Sequence, residues 1–138
     1  MLTPKRRKFR KRHVKNPKWK STRGSTVSFG EFWLKATTSG FVSNRQIEAA
    51  RKVIIRRIRK VWKLWIRIFP DVPITKIGLE MPMGKGKGEV DIYKASVRKG
   101  KIMFEINGVD RATAEDILTR AGKKLPVKVR VVEKGEIR

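Results

Sequence analysis

Between Ser43 and Lys63 the apolar residues recur every three or four positions, the period of a helix with one buried side. Set at about 100° apiece, Ile47, Ala50, Ile54, Ile55, Ile58, Val61 and Trp62 gather into one arc. Arg45, Lys52, Arg56, Arg59, Lys60 and Lys63 fall opposite. Ser43-Asn44-Arg45-Gln46 supplies the start, a capping box in which Ser43 accepts from the Gln46 amide while the Gln46 side chain reaches back. The helix is expected to run to about Val61, with one side on a sheet and the other a cationic ridge.

Elsewhere the pattern changes to period two. Thr26 to Thr37 is aromatic and β-rich, interrupted at Gly30, and reads as a strand pair or one bent strand before a turn at Thr38-Ser39-Gly40. Leu64 to Phe69 is an apolar run stopped by Pro70, with Ile74 to Met81 as its partner strand. Alternation assigns Trp65, Phe69 and Phe104 to the core. Glu89 to Arg98 and Lys101 to Ile106 flank Lys99-Gly100, a hairpin signal. Asn107-Gly108 closes that unit. A second helix is expected from about Arg111 to Lys124, with Asp110 as N-cap and Ala114, Ile117, Leu118 and Ala121 inward. Pro126 opens a last strand, Val127 to Val132. The order ββ-α-ββββ-α-β predicts an α+β fold, two helices packed on a mostly antiparallel sheet. That single domain spans 25–138 and follows an extended basic arm, 1–24, with a Gly-Lys hairpin finger at 84–88.

Charge changes the picture from fold to partner. Net charge is +24, and eleven Lys and Arg residues precede the first acid, Glu31. Pro4 to His13 is a polycation with one aromatic set into it, so it repels itself and buries nothing. Such a segment gains on meeting a polyanion, whose condensed counterions are released. The helical ridge fits the same partner. Its only acid is Glu48, whereas a merely solvated face mixes signs. At 138 residues with 39% hydrophobic content the chain can hold one ordinary core. Cysteine is absent, which excludes disulfides, thiolate chemistry and Cys-based zinc sites and suits a reducing compartment. No apolar run has the length of a membrane span, so no membrane partner is expected. Pro4 and Pro17 argue against a presequence helix.

Gly84-Lys85-Gly86-Lys87-Gly88 is the most unusual local motif. Its spacing fits neither the nucleotide P-loop nor the dinucleotide fingerprint. It can be a hairpin tip held open by charge, or a mobile basic finger lying along an RNA backbone, and the latter is preferred. The single histidine, His13, has no carboxylate nearby to orient it. No His, Cys or acidic cluster stands at metal-ligand spacing. No cofactor and no enzymatic activity are therefore expected. Phe9 and Trp19, isolated among bases in the arm, are candidates for stacking on unpaired nucleobases.

Several segments together resemble the large-subunit ribosomal protein L-sixteen family. They are Met1-Leu2-Thr3-Pro4-Lys5-Arg6 with Lys8-Phe9-Arg10-Lys11, then Gln46-Ile47-Glu48-Ala49-Ala50-Arg51, and Trp65-Ile66-Arg67-Ile68-Phe69-Pro70-Asp71 with Pro73-Ile74-Thr75. Met83 to Gly88 and Lys124-Leu125-Pro126 complete the set, in the family's order and near its spacings. The resemblance implies a ribosomal component that binds 23S rRNA between the central protuberance and the stalk base. It also implies an arm and finger extended toward the aminoacyl-site tRNA, and neighbours among large-subunit proteins and the 5S rRNA region. Carried over by position, Lys5, Arg6, Lys8, Arg10, Lys11 and His13 match the arm, Lys85 and Lys87 the finger, and Arg51 the helix motif. With Phe9, Arg12, Arg45, Lys52, Arg56, Arg59, Gly84, Gly86 and Gly88 these form the expected rRNA and tRNA contacts.

The chain departs from the family at a few positions. Pro82 stands where many bacterial members carry an arginine that some hydroxylate, so that modification is not expected. Trp62 replaces a common Gly, and Tyr93 a common Trp, both as packing changes. The start aligns with the family's own, so no presequence is expected, and the site of action is a ribosome in a bacterial cytoplasm or a self-encoding organelle. No homo-oligomer is expected. The alternative is a free-standing basic module that binds nucleic acid or assists assembly. A helix-turn-helix is excluded because the two helices are too far apart.

Overall fold

The computed structural model describes residues 2–57 and 62–136. The elements run β1 (Phe32–Ala36), β2 (Gly40–Ser43), α1 (Asn44–Arg57), β3 (Lys63–Ile66), β4 (Val72–Lys76), β5 (Glu89–Val97), β6 (Ile102–Asn107), α2 (Arg111–Gly122) and β7 (Val129–Glu133). This is an α+β fold whose strand pairs are all antiparallel among the described residues.

The strands divide between two sheets, a four-stranded one in the order β3-β6-β1-β7 and a three-stranded one in the order β2-β5-β4. The hairpin expected at Lys99-Gly100 is therefore a corner between sheets. Both of its strands already have two neighbours, β5 between β2 and β4 and β6 between β3 and β1, so neither has a free edge for the other. The turn closes from Lys101 N to Arg98 O at 3.0 Å and is fastened to β1 through Gly100 N to Ala36 O at 2.7 Å. Gly100 has φ 91°, a conformation that suits glycine.

The first strand pair also lies differently from the expectation. Only Phe32–Ala36 of the 26–37 segment is a strand, and the second is Gly40–Ser43, beyond the turn. Four residues overlapping a capping box are too few to show a period. That box forms as expected, Gln46 N to Ser43 Oγ at 3.2 Å and Ser43 N to Gln46 Oε1 at 2.9 Å.

Ile47, Ala50 and Ile54 are buried, but Ile55 is largely exposed at the edge of the arc. Ile58, Arg59, Lys60 and Val61 lie outside the described residues. Lys63, expected on the helical ridge, begins β3 instead. The second helix matches its reading closely. Asp110 accepts from Thr113 N, and Ala114, Ile117, Leu118 and Ala121 are all buried.

α1 packs on β2 and β5, α2 packs on β1 and β7, and the helices pack on each other. Phe32, Leu34, Phe104, Ile106, Ile47, Ile54, Ile117 and Leu118 fill the common core. The far side of the four-stranded sheet is not bare. Trp33, Ile102 and Val132 form a second cluster there, with Val27 packed against them.

Candidate nucleic-acid interface

The basic arm lies against the body and against the Gly-Lys loop. Leu2 packs on the core, and the Arg7 guanidinium sits 4.6 Å from the centre of the Tyr93 ring. Arg10 pairs with Glu89 at 2.6 Å. Lys11 Nζ donates to Lys87 O at 3.0 Å, and Lys87 Nζ donates to Arg12 O at 2.7 Å. Two segments about 75 residues apart thus hold each other through reciprocal lysine-to-carbonyl bonds. Lys5, Arg6, Lys8, Arg12 and His13 remain exposed and form no ion pair among the described residues. Phe9 and Trp19 are 68% and 75% exposed.

An open groove of about 920 Å³ runs between arm and body, lined in part by Lys5, Arg6, Phe9, Phe69 and Asp71. Phe69, read from the sequence as core, is half exposed and faces this groove. Ile68 and Pro70 are the buried positions there, so the alternation runs one residue out of step with the expected one. Phe104 is fully buried, and Trp65 is half-buried.

The loop at 77–88 joins β4 and β5, which pair up to Lys76 and Glu89. The strand expected through Met81 stops at Lys76, and among the described residues nothing covers the apolar side chains beyond it. Leu79 is fully exposed, and Met81 and Met83 are largely so. A turn closes from Met81 N to Gly78 O at 3.1 Å. Gly84 and Gly86 have φ of 94° and 95°, and both stand in open space. Gly88 differs, since a Cβ there would lie 2.5 Å from the Lys76 carbonyl oxygen. The first two glycines shape the tip, and the third lets the two strands close at its base. Lys85 is exposed and forms no polar contact among the described residues, whereas Lys87 is engaged with the arm.

On α1, Arg45, Lys52 and Arg56 are exposed. Arg51 is half-buried and donates to both carboxylate oxygens of Glu48. That hydrogen bond is the main reason the Glu48 carboxyl is held below its ordinary value and the Arg51 guanidinium above its own. Arg59 lies outside the described residues. The ridge gains partners that sequence reading missed. Arg56 and Arg57 join Arg120, Lys123 and Lys124 around a cleft of about 400 Å³ between the helices. Asp116 takes both Arg57 and Arg120 at 3.0 Å, which leaves Arg56, Lys123 and Lys124 without an ion pair among the described residues. Cations at the end of α2 suit the helix dipole as well.

Glu105 was also missed. It has no exposed surface, and it accepts from Phe29 N and Gly30 N at 2.8 Å, Ser28 N at 3.4 Å and Arg67 Nη1 at 2.5 Å. By strand alternation it faces away from the core, but the chain at 28–30 lies over it. Gly30 permits this close crossing, since a Cβ would stand 2.7 Å from Ile106 O. Burial pushes this carboxyl up. The Gly30 and Phe29 amides, then Arg67 and the Ser28 amide, outweigh burial and hold it below the usual range.

The arrangement offers exposed cations on an arm, a loop tip and an interhelical cleft, with exposed rings among them. That is a surface for phosphates and bases. Among the described residues no group of three or more His, Cys, Asp or Glu could hold a metal. Nor is any helix there long and apolar enough to cross a membrane.

Comparison with known proteins agrees in kind. The family model for ribosomal protein L16p/L10e matches residues 4–132. The chain is 52% identical over 135 residues to large ribosomal subunit protein uL16 of Leptospira biflexa, covering 98% of each chain. It is 49% identical over 134 residues to the uL16 of Halorhodospira halophila and 48% to that of Psychrobacter arcticus, covering 97% of this chain and 98% of theirs in both cases. A match over nearly its whole length shows that the chain belongs to the ribosomal protein L16p/L10e family, whose members are structural components and not enzymes.

Proposed function

We propose that the protein is a structural component of the large ribosomal subunit in a bacterial cytoplasm, bound to 23S rRNA and helping to place aminoacyl-site tRNA near the peptidyl-transferase region. Full-length likeness to bacterial proteins named for that subunit supports the ribosomal role. The observation that carries the finer reading is the clasp between arm and loop. It leaves Lys85 at an exposed tip while Lys87 and Lys11 hold the base. An anchored base with a free cation beyond it suits a ligand that arrives and leaves. The exposed cations of the arm and of α1 are the rRNA contacts in this reading, with neighbouring subunit proteins and the 5S rRNA region close by.

Large subunits reconstituted with the Lys85→Ala protein test the assignment. Occupancy of the protein should match wild type, because most of its cations lie elsewhere. Aminoacyl-site tRNA binding should weaken by up to about fivefold at low salt, since an exposed charge contact contributes at most about 1 kcal/mol, and the deficit should shrink as rising salt screens that contact. Wild-type tRNA binding by fully occupied subunits would reduce the loop to a spacer. Release of the wild-type protein from the subunit in a high-salt wash would favour a free-standing basic module.

A further inference from the structure

Phe29 occupies an exposed position that is built from beneath. Its ring stacks on Trp65 with centroids 5.8 Å apart and planes 18° apart, and the Arg67 guanidinium lies 5.3 Å from its centre. Trp65 and Arg67 are two residues apart along β3 and its extension. Arg67 N continues the ladder to Met103 O at 2.8 Å, so both side chains leave the same side of the strand. They support Phe29 from the sheet side, yet 57% of the residue is exposed. The backbone beneath the ring is fixed as well, because the Phe29 amide and its two neighbours are all held by the buried Glu105.

An ordinary packing residue would not be held this way. Phe29 contributes to neither hydrophobic cluster, and more than half of it stays open to solvent despite its two ring partners. The geometry points to Phe29 as a preorganised stacking platform for an unpaired RNA nucleobase. This rests on the RNA-binding reading above and adds a site to it. Phe9 and Trp19 are more exposed, but among the described residues no second ring backs either one. A ring already held parallel to its support loses little freedom when a base lands on it. A base in a duplex cannot reach such a platform without leaving its stack, so the site discriminates single-stranded from paired RNA.

The test uses the full chain with two probes, an end-labelled single-stranded 12-nucleotide RNA and a 12-base-pair RNA duplex, read by fluorescence anisotropy across a salt series. Phe29→Leu should lose about 5- to 150-fold in affinity for the single strand, the range given by one stacked base, with an unchanged salt slope. Duplex binding should stay within about twofold, and Phe29→Tyr should bind like wild type. In an independent arm, a single strand carrying 5-iodouridine should photocrosslink to the wild-type peptide containing Phe29, a result that needs no folded variant. Wild-type single-strand affinity in Phe29→Leu, or equal weakening on both probes, would overturn the platform and leave RNA binding standing. If the wild-type chain binds neither probe in a salt-dependent way, the RNA reading itself falls, and the site with it.

Discussion

Glu105 shows how one carboxylate can fix the position of a distant segment. It has no exposed surface, and its partners lie 75 to 77 residues earlier in the chain, apart from Arg67. Replacing it with Gln keeps the shape but leaves Arg67 half-buried without its charge partner. Breaking a buried pair in this way costs roughly 3–5 kcal/mol. Glu105→Gln is therefore expected to unfold at lower urea than wild type at neutral pH. The pH dependence has a definite sign. The folded carboxyl titrates below its ordinary value of 4.5, so its contribution is fully present above that value. It is lost as pH falls through the lower folded one. Urea midpoints across an acid series should show wild type losing its advantage over the Gln variant in that window. A constant gap would mean that the carboxylate's charge is not what matters.

At the level of elements, the two helices create a feature that neither has alone. α1 supplies Arg56 and Arg57, and α2 with the turn that follows it supplies Arg120, Lys123 and Lys124, with Asp116 answering only two of the five. Changing Lys52, Arg56, Lys123 and Lys124 together to Gln removes exposed side chains that form no ion pair among the described residues, so each should shift stability by no more than about 0.5 kcal/mol. If the cleft and ridge meet rRNA phosphates, affinity falls and the slope of log K against log salt shrinks by roughly 0.7 to 0.9 for each phosphate that is no longer neutralised. Thermal unfolding and a salt titration of rRNA binding measure the two effects separately. An unaltered slope would make the ridge a solvated face after all.

For the whole molecule, the arm and the Gly-Lys loop behave as one unit despite their separation in sequence. We propose the division into an arm, 1–24, and a body, 25–138, with the join at two backbone bonds, Ser21 N to Lys99 O at 2.9 Å and Ile102 N to Gly24 O at 2.8 Å. Upstream of Ser21, apart from Leu2 on the core, the arm is held by single side-chain contacts at the surface, which contribute little each. Amide exchange on the free protein should accordingly be fast before Ser21 and slow in β6. Lys87→Ala with Glu89→Gln should speed exchange further across residues 8–14 and leave the core strands unaffected. Unchanged exchange through Lys5–Arg12 in the double variant would show that other contacts hold the arm.

Features that depend on neighbours a few residues apart can be read from the amino-acid order. The capping box at Ser43, the Asp110 cap, the four inward residues of α2 and the excess of cations over acids were all legible there. Periodicity reports which side of an element is buried, because that side repeats along the chain. It does not report what buries it. The full fold is what sends β5 and β6 into different sheets, since each already has two neighbours. It also set Phe69 outward, because Ile68 and Pro70 took the buried positions. Glu105 reads from sequence as an outward strand residue, and becomes a buried anchor only because 28–30 crosses above it. The Phe29 platform and the interhelical cleft arise likewise from residues that no local spacing relates. Such contacts depend on where the chain returns, and the topology that sets this is a property of the whole core.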